Sequence, residues 1–241
     1  MASTLQLWQK NNCQNMYYQR MERLRVAREL DIMSRKTTLH YQSYGEGEHV
    51  YVGIPGFGAP HSKSFGLMLE RLPDNIKFYG IDPPGLGESP DTDDWSWDGV
   101  NSMVIDAVRE ISEAEGKPVI LVGACSGSFH ALETARREQQ YVERLYLIEP
   151  FAYFPWYIFP FATPPTGPVL LYSIFGSPVG RKLFQTALTM AGLTGGYDTM
   201  SSFAKVHWRH LYNYLRIYYE ASLRGADVFG TITVPKSIYS G

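Results

Sequence analysis

Leu121-Val122-Gly123-Ala124-Cys125-Ser126-Gly127-Ser128 is the stretch whose reading decides the fold. It begins in the apolar run Val119–Val122, the kind found in strands buried on both faces. It ends at the start of a helix-forming stretch, Ser128–Gln139. One residue between them must turn the chain sharply, and small residues two before and two after it relieve the crowding. Gly123 and Gly127 stand at those offsets around Cys125, giving Gly-x-Cys-x-Gly. The frame shifted by one centres Ser126 between Ala124 and Ser128, which are small but lack glycine's backbone freedom. The glycine spacing favours Cys125, against the plainer reading of an incidental turn around an inert buried cysteine. A thiol at such a turn projects into a cleft. The helix beginning after it is expected to lower the thiol pKa and favour thiolate.

Working outward, Thr38–Tyr44 alternates as a strand does, and Gly45-Glu46-Gly47 makes a turn. His49–Ile54 reads as a second strand ending at Pro55-Gly56-Phe57-Gly58. Ser64–Leu72 predicts a helix, and Ile76–Ile81 a strand running into Asp82-Pro-Pro-Gly-Leu-Gly-Glu-Ser89. Trp97–Glu115 is periodic and helical, and Arg144–Ile148 is the next apolar strand. Strands alternating with helices imply right-handed crossovers and a largely parallel sheet. From Pro150 to about Gly225 the alternation stops, and helical stretches rich in Tyr, Phe, Trp and Leu take over. It resumes at Ile232–Tyr239. The expected division is a helical extension over 1–36, an α/β core over 37–149, a helical cap over 150–226, and one more core strand over 227–241.

With 241 residues the chain suits one sizeable α/β domain. A net charge of -2, with no cluster of Lys or Arg, speaks against nucleic acid as a partner. Two cysteines, Cys13 and Cys125, make no disulfide framework, so a reducing cytoplasmic setting is expected. The N-terminus lacks the apolar run of a secretory signal. The longest apolar stretch, Phe151–Phe161, is too short to span a bilayer, so no stable membrane insertion is expected. No metal cluster, phosphate loop or dinucleotide motif stands out, and no cofactor is expected.

Four motifs in order give the chain a family likeness. Ile54-Pro-Gly-Phe-Gly58 resembles the oxyanion loop after the third strand of the α/β-hydrolase superfamily, and Tyr79–Ser89 its Asp-x-x-Gly-x-Gly-x-Ser loop. The Cys125 elbow is the third, and Ile232–Gly241 resembles the strand that follows a cap. The resemblance is to the capped branch and implies an α/β-hydrolase fold with a mostly parallel sheet and helices on both faces. It implies backbone oxyanion donors at Phe57 and Ser126. The family's usual His beside the oxyanion glycine is Pro55 here. Cys125 is then the nucleophile, and Glu149, at the end of Tyr146-Leu-Ile-Glu149, a candidate acid in the manner of haloalkane-dehalogenase-like members; a local salt bridge is the alternative.

The family's base histidine follows a later strand, so the reading expects a product truncated before that strand and helix. Among His40, His49, His61, His130, His207 and His210, none suits the base well. His130 is expected to turn away from the cleft, His61 to line the pocket mouth, and His207 and His210 to lie in the cap. With Phe154 and Trp156 lining a pocket, the implied substrate is a small apolar ester-like molecule: a carboxylic ester, thioester or lactone. Acyl transfer through the same cysteine, a non-catalytic binding protein and an inactive fragment stay open.

Overall fold

The computed structural model describes residues 39–150, 156–192, 206–223 and 231–239. The expected N-terminal helix, Cys13 and Phe154 lie outside these residues.

The strands are β1 (Tyr41–Tyr44), β2 (His49–Ile54), β3 (Ile76–Ile81), β4 (Val119–Ala124), β5 (Val142–Ile148) and β6 (Lys236–Tyr239). They form one sheet in the order β1-β3-β2-β4-β5-β6. β1 runs antiparallel to β3, and every other pairing is parallel. The central strand β4 is buried along Val119–Gly123, which explains why it reads as a continuous apolar run.

Helices α1 (His61–Ser64) and α2 (Gly66–Leu69) follow β2, α3 (Trp97–Glu115) follows β3, and α4 (Gly127–Arg137) follows β4. The Ser96 hydroxyl caps α3 by accepting from the Gly99 N–H, and left-handed Gly116 ends it. Its buried residues Trp97, Val100, Asn101, Val104, Val108 and Ile111 recur at three- and four-residue steps. Val104, Val108 and Ile111 join Val52, Ile54, Ile81, Leu121, Leu145 and Leu147 in the main core. Each such side chain contributes about 1.5–3 kcal/mol by leaving water.

Between β5 and β6 lie a short 3-10 turn (Trp156–Ile158), then α5 (Phe159–Ala162), α6 (Thr166–Phe175), α7 (Pro178–Met190) and α8 (Trp208–Leu223). α8 packs on α3, α5 and α6, whereas α7 packs on α6. The expected helix over 64–72 is instead the pair α1 and α2, broken at Phe65. Phe65 is buried against Phe78, and turning that ring inward interrupts the helix. The last strand is shorter than expected. Pro235 has no N–H for the ladder, although its carbonyl accepts from the Leu145 N–H. β6 is an edge of the described sheet, with Ile238 and Tyr239 largely exposed. No helix among the described residues is long and apolar enough to cross a membrane.

Candidate functional site

The turn after β4 takes its conformation at Cys125, whose φ is +50°. Ser126, the alternative centre, has an ordinary helical φ of -69°. Both flanking glycines are required by space. A Cβ on Gly127 would lie 2.3 Å from the carbonyl oxygens of Ile54 and Pro55, and one on Gly123 would lie 2.7 Å from the Ser128 Cα. The elbow therefore nests against the end of β2, and that contact brings the Gly56-Phe57 loop over the thiol. A Cβ on Gly56 would sit 3.1 Å from the Cys125 Cβ.

Cys125 is half-buried and free. Burial pushes its thiol pKa up, and the Glu149 carboxylate adds to the rise; the backbone N–H groups of Ser126 and Phe57 act on the sulfur in the opposite direction. The expectation of a lowered pKa is thus corrected. The two backbone donors do not offset desolvation beside a carboxylate. The same two donors are those expected to hold an oxyanion, and here both are directed at the sulfur.

Cys125 and Glu149 end neighbouring strands. The Cys125 N–H donates to the Ile148 carbonyl at 2.8 Å, and the Glu149 N–H donates to the Tyr239 carbonyl at 2.7 Å. Glu149 is exposed and has a φ of +48°; it and Cys125 are the non-glycine residues in the left-handed region among the described residues. For such residues that conformation is uncommon, and it aims both side chains out of the sheet's end.

A buried polar chain runs under the elbow. The Asn101 amide donates to the Trp97 carbonyl at 2.7 Å, so its oxygen faces His130 Nδ1 at 2.9 Å and accepts from it. Burial pushes the His130 pKa down to about 4, so the ring is neutral at pH 7 and its Nε2 is an acceptor. The Tyr218 hydroxyl of α8 lies 3.2 Å from that nitrogen and donates to it. Tyr218 stacks on Phe129 and meets the Phe57 ring edge-on. Burial raises its pKa, and the proximity of Cys125 adds to this. Ser126 Oγ is fully buried beside this phenol without a hydrogen bond of good geometry. His130 is fully buried between Asn101 of α3 and Tyr218 of α8, and through Tyr218, a residue the sequence reading did not single out, it connects to the elbow.

His61 does not face a pocket mouth. It is 3% exposed, with Nδ1 2.8 Å from Asp82 Oδ1 and Nε2 2.8 Å from the Tyr44 hydroxyl. A Cβ on Gly80 would strike its ring at 2.3 Å, so the ring packs flat on β3 and has no room to swing out. Asp82 also accepts from the backbone N–H groups of His61 and Glu88 and lies 3.2 Å from His40 Nδ1. Burial alone would push the Asp82 carboxyl up, but His40 and His61 outweigh it and hold the carboxyl far below the usual range. The ligating atoms of His40, His61 and Asp82 lie within 4.8 Å of one another, a donor set that could hold a cation. In the structure the three bond to one another instead, fastening the residue-82 loop to α1 and to the start of β1.

Trp156 is 78% exposed at the start of the helical segment. His207 Nδ1 accepts from the Arg209 N–H, and His210 Nε2 lies 2.9 Å from Asp91 while its ring stacks on Trp95. Among the described residues, no histidine is hydrogen-bonded to the Cys125 thiol.

An open parallel sheet with a strained elbow after its central strand, facing a loop of backbone donors, has a counterpart among known proteins. The model of the alpha/beta hydrolase family matches residues 52–235. The chain belongs to the alpha/beta hydrolase family. It is 32% identical over 111 residues to the serine hydrolase BPHL of Homo sapiens, a match covering 44% of this chain and 38% of that protein. The chain thus matches well under half the length of that relative. Among solved structures, a hydrolase from Pseudomonas aeruginosa PA01 superimposes with a TM-score of 0.63 at 15% identity, covering 87% of this chain and 78% of the other. The enol-lactonase from Burkholderia xenovorans LB400 gives 0.59 at 16% identity, covering 83% and 76%. At those identities the likeness is one of fold.

Proposed function

We propose that the protein is a hydrolase acting through the Cys125 thiol on a carboxylic ester, thioester or lactone with an apolar acyl or ring part. The observation that carries this reading is the convergence of the Phe57 and Ser126 N–H groups on the sulfur of a residue strained to φ +50°. When the sulfur attacks a carbonyl carbon, the carbonyl oxygen becomes an oxyanion two bonds from the sulfur, within reach of those two donors. The S–C bond forms as the C–O or C–S bond of the substrate breaks, and the thiol proton passes to the departing alkoxide, thiolate or ring oxygen. Water then cleaves the acyl-thiol intermediate, giving the acid and returning a proton to the sulfur. On this reading Glu149, at the end of the neighbouring strand, orients the attacking water, and the helices between β5 and β6 serve as a cap that shields the acyl group. Transfer of the acyl group to an acceptor other than water would use the same steps.

The curated relative is named a serine hydrolase. In this chain the serine at the elbow, Ser126, is fully buried with a helical backbone, and Cys125 holds the strained position. The raised thiol pKa favours a second reading, a protein that keeps the pocket and binds an apolar ester without turning it over. The test is turnover of a series of p-nitrophenyl acyl esters by the intact chain and by its Cys125→Ala and Ser126→Ala variants. Turnover lost in Cys125→Ala and kept in Ser126→Ala supports the thiol. Turnover that survives Cys125→Ala removes it, and binding without turnover leaves the second reading.

A further inference from the structure

We propose that the outer face of α6 and α7, with the turn before α5, docks on an anionic lipid surface. From Pro150 to Tyr197 the sequence contains no Asp or Glu, and its two ionised side chains are Arg181 and Lys182. In this segment apolar side chains stand in water: Trp156, Tyr157, Val169, Tyr172, Val179, Leu183 and Met190 are each at least 60% exposed. α7 has no buried residue along its whole length. On a 100° helical repeat, Val179, Leu183 and Met190 fall in one stripe, Lys182 lies on its flank, and Phe184 points the other way, onto Phe175 of α6.

Apolar stripe, flanking lysine and clustered Trp and Tyr are the parts of a helix that lies in a membrane interface. The stripe enters the acyl boundary, the lysine stem reaches back to headgroup level, and the aromatic rings sit between. The charge balance selects the occupant. A second copy related by a two-fold axis would set Lys182 against its own equivalent with no acid in the face to answer it, while Arg181 points to the other side and donates to the Phe175 carbonyl of α6. Phosphate and carboxylate headgroups supply that missing charge. Docking adds no membrane-crossing helix and does not depend on Cys125. It would present the helical segment to a reservoir of apolar acyl chains.

The experiment is co-sedimentation of the intact protein with two kinds of vesicle: phosphatidylcholine alone, and phosphatidylcholine with about one-third phosphatidylserine. The expected result is binding to the anionic vesicles. It should weaken about tenfold or more in Leu183→Glu and Met190→Glu and about fivefold in Lys182→Ala. These side chains are exposed, so an unchanged thermal midpoint shows that the fold is intact. No binding to anionic vesicles, or equal binding by Leu183→Glu and the parent, overturns the proposal. So does a dimer seen by light scattering that Leu183→Glu dissociates, since a second copy would then cover the face.

Discussion

Lowering the pH from 7 to 5 should destabilise the fold by about 2 kcal/mol through His130 alone. This histidine is completely buried, and burial pushes its pKa down to about 4 from an ordinary 6.5. The unfolded chain therefore binds a proton between those two values where the folded chain does not. The stability due to neutral His130 is fully present above pH 6.5 and drains away as the pH falls toward the folded pKa. At pH 5 the difference is close to one and a half pH units, hence about 2 kcal/mol. His40, whose folded pKa is raised mainly by its bond to Asp82, works in the opposite direction: its stability grows as the pH falls toward and below 6.5 and offsets part of the His130 loss. The depressed carboxylates Asp82 and Glu133 lose their contribution mostly below about pH 5. Urea midpoints at pH 7 and pH 5 for the parent and His130→Gln measure it. The stability advantage of the parent over the variant should shrink by about 2 kcal/mol between pH 7 and pH 5, because the His40 contribution is common to both proteins. A parent–variant difference that is the same at both pH values would refute the reasoning, because His130 would then be charged or open to water inside the fold.

Gly127→Ala places a Cβ against the Ile54 and Pro55 carbonyls and should cost about 1–3 kcal/mol, a fall of about 2–12 °C in thermal midpoint. Gly66→Ala, with nothing within 4 Å, serves as its control, and scanning calorimetry compares the two. Because the Cys125 thiol pKa is raised, its alkylation by iodoacetamide should climb about tenfold per pH unit up to about pH 8.5. Mass spectrometry of the labelled peptide follows this, and a plateau at lower pH would contradict the raised pKa. Asp82→Asn weakens the bonds that hold His40 and His61 and should cost about 2 kcal/mol or more, read as a lower urea midpoint.

The elbow was legible in the sequence because its constraint is local. Two glycines at fixed offsets, an apolar strand and a helix start specify a strained turn whatever the rest of the chain does. β2, β3 and α3 were legible for the same reason: the strands are short runs buried continuously over their last residues and bounded by turn residues, and the buried face of α3 recurs about every three and a half residues. The Asp82 cluster was not, because its members are distant in sequence and none is unusual in its own segment. Asp82 begins a loop, His61 follows one, and His40 precedes a strand. The signal that could have found them is β3 itself. Its parallel pairing with β2 fixes the segments after both strands at one end of the sheet, beside each other. Tyr218 was hidden by composition, one tyrosine among the many aromatics of its segment. Only the α8–α3 packing distinguishes it.

The same division explains why the elbow could be placed and its chemistry misjudged. Motif spacing reports where a backbone must bend and which N–H groups will face the bend. It carries no measure of how much water remains. The helix N-terminus and both N–H donors are present at Cys125, and taken alone they would favour thiolate. Desolvation decides the sign, and it is set by tertiary packing that motif spacing does not report. An acyl-thiol mechanism at this site therefore depends on a proton acceptor acting during attack rather than on a standing thiolate. That is why turnover by the Cys125 and Ser126 variants is the measurement that decides the function, and why slow alkylation at neutral pH would not refute it.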